Sequence, residues 1–318
     1  MSDRFDALAG LAPRTPVYLV DASLYVFRAW HSIPDEFTDR EGHPTNAVQG
    51  FTRFLLELIE RERPVHIAVA FDEALDSCFR NTFYPAYKAN RDPAPDALRR
   101  QFVHCKAVCE ALGLVVLAHT DFEADDLIGT ARIAARGHGL RAVIVSADKD
   151  LSQLLEDDDE QWDFARDQRW TAAGVHARHG VHASQVADYL GLSGDAVDNI
   201  PGVPGIGAKT AAALLAHFGS LDAVLARIDE VPYLRSIRGA AGIATKLRAH
   251  RDQALMSRRL ATIALDAPFD TDRIPFLRAP ASRDALIALC ESLRFGPMTR
   301  RRLGQVAGLD LMASLSAS

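Results

Sequence analysis

A chain of 318 residues with 48% hydrophobic and 25% charged residues has the makeup of an ordinary globular protein, long enough for one large core or a core plus a smaller subdomain. No apolar stretch approaches the ~20 residues of a membrane helix, and the opening MSDRFDALAG lacks the basic-then-apolar order of a secretory leader, so a cytoplasmic place without membrane contact is expected. The net charge of −6 speaks against a uniformly basic polyanion binder.

Taken in chain order, a loose lead-in precedes Val17-Tyr18-Leu19-Val20, a buried strand ending at Asp21. A helical stretch follows, then a polar loop from Pro34 to Pro44 and a helix through Phe51 to Glu60. Ile67-Ala68-Val69-Ala70-Phe71 predicts a second strand, ending at Asp72. The next segment, CFRNTFYPAYKANRDPAPDALRRQF, mixes aromatics with bases and is broken by Pro85, Pro93 and Pro95, which suits a mobile arch or lid better than a core element. Leu114-Val115-Val116-Leu117 predicts a third strand and leads to Glu123, Asp125 and Asp126 at the start of a helix. Ala142-Val143-Ile144-Val145 predicts a fourth, followed by Asp148 and Asp150. From about Thr171 the strands stop, and helical patterns separated by Pro/Gly turns run to about Ala264. The expected organisation is an α/β core with a mainly parallel sheet over residues 1–171, an arch at about 78–105, a helical subdomain over 172–265, and a segment over 266–318 that returns to the core, its tail frayed from Ala313.

The acids fall where function is expected. Ligands of open α/β sheets bind outside the carboxyl ends of the strands. The seven carboxylates gathered there cannot all stay ionised without a cation, since like charges raise one another's pKa. Hard ions such as Mg²⁺ or Mn²⁺ prefer such oxygens. A further pair, Asp195 and Asp198, shares one helical face at i, i+3, and with the strand-end acids describes two metal positions in one cleft. Two such ions suit in-line displacement at phosphorus, one activating water and both stabilising charge. A polyanionic substrate would also account for the bases clustered at residues 80–106 and 235–259. The glycines of Pro201-Gly202-Val203-Pro204-Gly205-Ile206-Gly207-Ala208-Lys209-Thr210 precede an Ala-rich helix, as in a helix–hairpin–helix that grips a duplex backbone. No strand precedes them and the spacing is not that of a P-loop, which excludes a nucleotide-binding reading. The run from Glu156 to Glu160 reads as a solvated turn, and the four cysteines as reduced, buried thiols.

The ordered set VDAS, AFDE, YPAYKANR, FEADD, SADKD and GDAVDNIPGVPGIGAKTA resembles the 5′-nuclease family, which includes the 5′-nuclease domain of bacterial DNA polymerase I, phage 5′-exonucleases and flap endonucleases. The resemblance covers about residues 16–265 and implies a PIN-like core with a helical arch and a helix-hairpin-helix-type subdomain. It implies a first metal group of Asp21, Asp72, Glu123, Asp125 and Asp126, and a second of Asp148, Asp150, Asp195 and Asp198, with Asp148 near both and catalytic. Lys88 and Arg91 match the basic pair beside the scissile phosphate, and Tyr87 is expected to stack on an unpaired base. Arg28 matches a basic position facing the same cleft, and Arg80 and Lys246 are expected on DNA. Gly202, Gly205, Gly207, Lys209 and Thr210 match the element that holds duplex, in some members with a K⁺ ion. No polymerase domain fits in this length, so the expectation is a free-standing, monomeric, Mg²⁺- or Mn²⁺-dependent nuclease acting on DNA with a free 5′ end or 5′ flap, in replication or repair. Its rivals are a non-catalytic DNA-structure-binding protein, which predicts lost acids, and a PIN-type ribonuclease, which normally lacks the arch and the hairpin.

Overall fold

The computed structural model describes residues 14–73, 78–270 and 273–311; the lead-in before Arg14 and the tail from Ala313 lie outside them. The four aliphatic runs form β1 (Pro16–Asp21), β2 (His66–Asp72), β3 (Val115–His119) and β4 (Arg141–Val145), paired in parallel in the order β3-β2-β1-β4. Both faces are covered. Tyr18 and Val20 pack toward α1 (Ala22–Ser32), α2 (Asn46–Glu62) and α3 (Asp96–Ala111), while Val17 and Leu19 pack toward α4 (Ala124–Gly137). The continuous apolar runs follow from this two-sided burial.

Two strands that the sequence pattern did not announce extend the sheet: β5 (Glu160–Asp163), parallel to β4, and β6 (Gln168–Thr171), antiparallel to β5. Their sequences, EQWD and QRWT, have no aliphatic run. They are held instead by polar and cation–π contacts: Arg169 lies 3.8 Å from the Trp162 ring centroid, and Gln161 donates to the carbonyls of Ser146 and Asp148.

The expected arch ends earlier than residue 105. Residues 78–95 are a 3₁₀ turn (Phe79–Thr82) and irregular backbone, but α3 begins just after Pro95 and buries Leu98, Phe102, Cys105 and Cys109 at helical spacing in the core. The helical region comprises α5 (Ala172–His179), α6 (Val186–Ser193), α7 (Ala208–Phe218), α8 (Leu221–Ala226), α9 (Ala240–Ala249) and α10 (Arg251–Ala261), on the α4 side. Two last helices, α11 (Arg283–Ser292) and α12 (Pro297–Ala307), return to the opposite face. No helix among the described residues is long and apolar enough to cross a membrane.

The acidic turn before β5 is only partly solvated. Asp159 is 1% exposed and accepts hydrogen bonds from Arg132 Nε and Nη2 at 2.9 and 2.8 Å, from Arg136 Nη2 at 2.9 Å and from the Ala142 amide at 2.9 Å. It ties α4 to β4 and so fixes the helix that carries the acidic cluster. Arg132 keeps Glu156 at 2.8 Å, so Asp159→Ala removes one of its two acids and the acceptor of the Ala142 amide, and should lower unfolding free energy by about 1–3 kcal/mol in urea titration. A change under about 0.5 kcal/mol would mean that Glu156 and water replace Asp159 fully.

Candidate active site

The strand ends converge. In the β1–β2 register Asp21 lies opposite Ala70, so Asp72, two residues on, projects to the same face, the one α4 covers. Asp21 caps α1 by accepting from the Leu24 amide at 3.2 Å, and its other oxygen accepts from Ser146 Oγ at 2.8 Å. Ser146 follows β4 and also accepts from the Asp148 amide at 3.1 Å, so one hydroxyl fixes two acidic positions. Asp72 takes a hydrogen bond from the Ala124 amide at 2.7 Å, which joins β2 to the start of α4, and the Asp72 backbone amide donates to Ser23 Oγ at 2.9 Å. Ser23 and Ser146 stand inside the VDAS and SADKD motifs but carry no charge, and sequence reasoning passed over them.

The α4 acids divide by role. Glu123 and Asp126 form a capping box, the Glu123 amide donating to Asp126 Oδ2 at 3.1 Å. Asp126, expected as a metal ligand, is 0% exposed and both its oxygens are taken by Arg80, at 2.7 and 2.8 Å. Arg80, expected on DNA, is correspondingly 2% exposed. Tyr87, expected to stack on a base, is buried, and its hydroxyl donates to Glu123 at 3.0 Å. The aromatic-basic segment therefore turns its Arg80 and Tyr87 inward, onto the acids.

Lys88 has left-handed backbone, φ 54°, held by its amide donating to the Asp198 carbonyl at 3.0 Å. Its ammonium pairs with Glu123 and lies 3.7 Å from Asp198, whose other oxygen pairs with Arg91. Asp195 is bound by Lys149 at 2.6 Å. Lys88 and Arg91, with the acids Asp72 and Glu123, border a cleft of about 700 Å³ whose wall includes Phe27, Trp30 and His31. Arg28 is exposed on the same helix, outside that lining.

Around the glycine hairpin, Gly202 and Gly205 have φ of 59° and 76°. A Cβ on Gly202 would lie 2.2 Å from the Gly194 nitrogen, and one on Gly194 would lie 2.6 Å from the Ile200 carbonyl oxygen, so the two backbones touch. Lys246 of α9 reaches over Gly205, its Nζ 2.1 Å from where a Cβ would stand. Gly207 caps α7 with extended backbone, leaving the first amides of that helix facing outward beside exposed Lys209 and half-buried Thr210.

Residues 16–180 match the family described as 5′-3′ exonuclease, N-terminal resolvase-like domain, and residues 181–282 the 5′-3′ exonuclease, C-terminal SAM fold. The chain belongs to the 5′-3′ exonuclease family. It is 40% identical over 283 residues to DNA polymerase I of Pseudomonas aeruginosa, covering 89% of this chain and 31% of that protein. It is 37% identical over 294 residues to DNA polymerase I of Mycobacterium tuberculosis, covering 91% and 32%. The chain thus spans about a third of the length of these relatives. Among solved structures, T5 5′-exonuclease with bound zinc superposes with a TM-score of 0.63 at 21% identity over 92% of this chain and 99% of that one. The catalytic core of Rad2 in complex with DNA substrate gives 0.62 at 14% identity over 92% of each. The fold is the PIN-like one.

The exonuclease-family site has a donor set that fits hard divalent ions: every ligand candidate is a carboxylate oxygen, and Asp150 Oδ1 is buried with no hydrogen-bond partner. Burial, then Asp72, pushes Asp21 up to about 7. Burial, then Asp148, pushes Asp150 up to about 8. Burial followed by Asp148, Asp21 and Asp72 raises Asp125 well above the usual range, and Asp72 and Asp148 are raised, first by burial. Glu123 and Asp195 behave oppositely: burial would raise both, but Lys88 and Arg80 hold Glu123 low, and Lys149 holds Asp195 low. The raised group consists of the acids with no cationic hydrogen-bond partner.

Raised carboxyl pKa values in the folded state stabilise it below the ordinary carboxylate pKa of ~4, and this contribution is lost as pH rises, wholly so once pH passes the values near 7 and 8 of Asp21 and Asp150. The metal-free protein should therefore melt at a lower temperature at about pH 8.5 than at about pH 5.5, and Mg²⁺ should raise Tm more at the higher pH. A Tm and a Mg²⁺ increment both independent of pH would show that the five acids do not repel one another in this way.

Proposed function

We propose that the protein hydrolyses DNA phosphodiesters as a structure-selective 5′-nuclease, working as a 5′-3′ exonuclease, a flap endonuclease or both. The observation that carries this reading is the group of raised carboxylates at the ends of β1, β2 and β4 and the start of α4, with Lys88 and Arg91 at its rim. Asp21, Asp72, Glu123, Asp125, Asp148 and Asp150 would hold two divalent ions, Mg²⁺ or Mn²⁺, with Asp195 and Asp198 completing the set. When bound, such ions supply water activation and charge stabilisation for in-line displacement at phosphorus.

The chain's own residues supply the rest. Lys88 and Arg91 place two positive charges where a phosphate over the acids would develop negative charge, in a cleft partly shielded from water. Phe27, Trp30 and His31 give that cleft a wall for unpaired bases near a free 5′ end. The hairpin at Gly202–Gly207, the α7 amides, Lys209 and Lys246 would hold a duplex by its backbone without reading bases, which makes binding steeply salt-dependent. The relationship to Rad2, seen with DNA substrate, and to T5 5′-exonuclease, seen with divalent ions, supports the same substrate and cofactor class.

Incubation with an end-labelled 5′-flap duplex should give cutting near the junction with Mg²⁺ or Mn²⁺ and none with chelator. Asp148→Ala should abolish cutting while DNA binding, followed by anisotropy in Ca²⁺, persists; full activity in that variant would remove the assignment of the acids. Lys88→Ala should lower the single-turnover rate by roughly 10²–10³-fold and weaken DNA binding far less. A variant that binds poorly but cuts at the normal rate when saturated would make Lys88 a phosphate anchor only.

A further inference from the structure

Arg80 is the most fully engaged side chain near the site. A guanidinium has five N–H donors, and here all five are taken. Nε donates to the Leu260 carbonyl at 2.8 Å, Nη1 to Glu123 at 2.9 Å and Asp126 at 2.7 Å, and Nη2 to Asp126 at 2.8 Å and the Thr262 carbonyl at 3.0 Å. Leu260 and Thr262 lie at the C-terminal end of α10. The same segment is fastened to the core by the Ala264 amide on Asp126 at 2.8 Å, and by Gln153, which donates to the Ala261 carbonyl at 3.1 Å and accepts from the Ile263 amide at 3.0 Å. Earlier on the same helix, α10 holds the glycine hairpin: Ser257 Oγ, three residues before Leu260, accepts from the Gly202 amide at 3.1 Å, and Gln253, seven residues before it, donates to the Gly202 carbonyl at 2.7 Å. One helix thus touches the hairpin with Gln253 and Ser257 and Arg80 with its last carbonyls.

We propose that Arg80 is a positioning residue that registers Glu123, and with it the hydrolytic centre, against the duplex-holding hairpin, α10 serving as a spacer of fixed length. The inference rests on the nuclease reading above. It assigns Arg80 a consequence that neither a phosphate contact nor a purely structural ion pair has: the site of cutting relative to the duplex depends on it. A lysine offers one compact ammonium with three donors and cannot join two carboxylates and two carbonyls in one plane.

The test uses the full chain with Arg80→Lys and, because an unpaired Asp126 would disturb folding, a second variant in which Arg80→Met is combined with Asp126→Asn. Both are measured on a 5′-flap duplex for DNA affinity in Ca²⁺, single-turnover rate and product length, and for Mn²⁺ affinity by calorimetry. The expected result is DNA affinity within about twofold of the parent, a rate lower by roughly 30–100-fold, products spread over neighbouring phosphodiesters, and weaker Mn²⁺ binding. Weaker DNA binding with a salt slope reduced by about one would make Arg80 a phosphate contact and overturn the proposal. Parent-like rates with a single product length would also overturn it, as would failure of both variants to fold, which would leave Arg80 a stability residue. A parent protein that does not cut at all would instead count against the nuclease reading itself.

Discussion

Carboxylates withdrawn from water beside one another repel, and the carboxyl ends of β1, β2 and β4 impose that condition. Parallel pairing brings Asp21, Asp72 and the Ser146–Asp150 turn to one level, and α4 adds Asp125 from the side. Much of the neighbouring architecture manages this concentration of charge. Hydroxyls of Ser23 and Ser146 orient the acids, Arg80 removes Asp126 from the group, Lys88 neutralises Glu123, and Lys149 and Arg91 hold Asp195 and Asp198. What stays uncompensated is an all-oxygen pocket suited to a hard cation.

Two seams that join the helical region to this centre involve residues 79–91. One is the loop from Asp195 to Asn199, where Asn199 donates to the Ala86 carbonyl at 2.6 Å, Asn90 to the Ala196 carbonyl at 2.9 Å, and the Lys88 amide to Asp198. The other is the end of α10 on Arg80, beside which Arg259 lies 3.9 Å from the Phe83 ring centroid. Residues 79–91 therefore bridge the core and the helical region instead of standing free above them. A segment broken by prolines can still be rigid when its turns are anchored at both ends by backbone carbonyls.

Much of this was legible in the sequence, and what was not has physical reasons. The aliphatic strands could be read because burial on both faces leaves no polar position within the runs, two of which stop at an acid and two of which lead to one within a few residues. β5 and β6 could not, since a short strand pair held by Trp162, Arg169 and Gln161 has neither an apolar run nor clean alternation. The acids could be counted but not sorted: Asp125 and Asp126 are adjacent in sequence, and only the helix rotation decides which faces the strand ends and which faces Arg80. Arg80 and Tyr87 sit in a stretch whose composition suits a DNA-facing arch, and composition is silent on whether a base turns outward to phosphate or inward to carboxylate. Lys88 and Arg91 have the same chemistry and stay at the rim of the cleft.

The contact of Gly194 with Gly202 has a consequence for how this protein can change over generations. No side chain lies between the two backbones, so neither position can accept even a methyl group by letting a neighbour swing aside; the main chains would have to part. The loop bearing Asp195 and Asp198 leaves from one side of that crossing and the glycine hairpin from the other. Residues 194–202 therefore travel as a unit. Anyone moving the hairpin into another scaffold must carry the acidic loop with it, and a lineage that loses either glycine gives up both elements together.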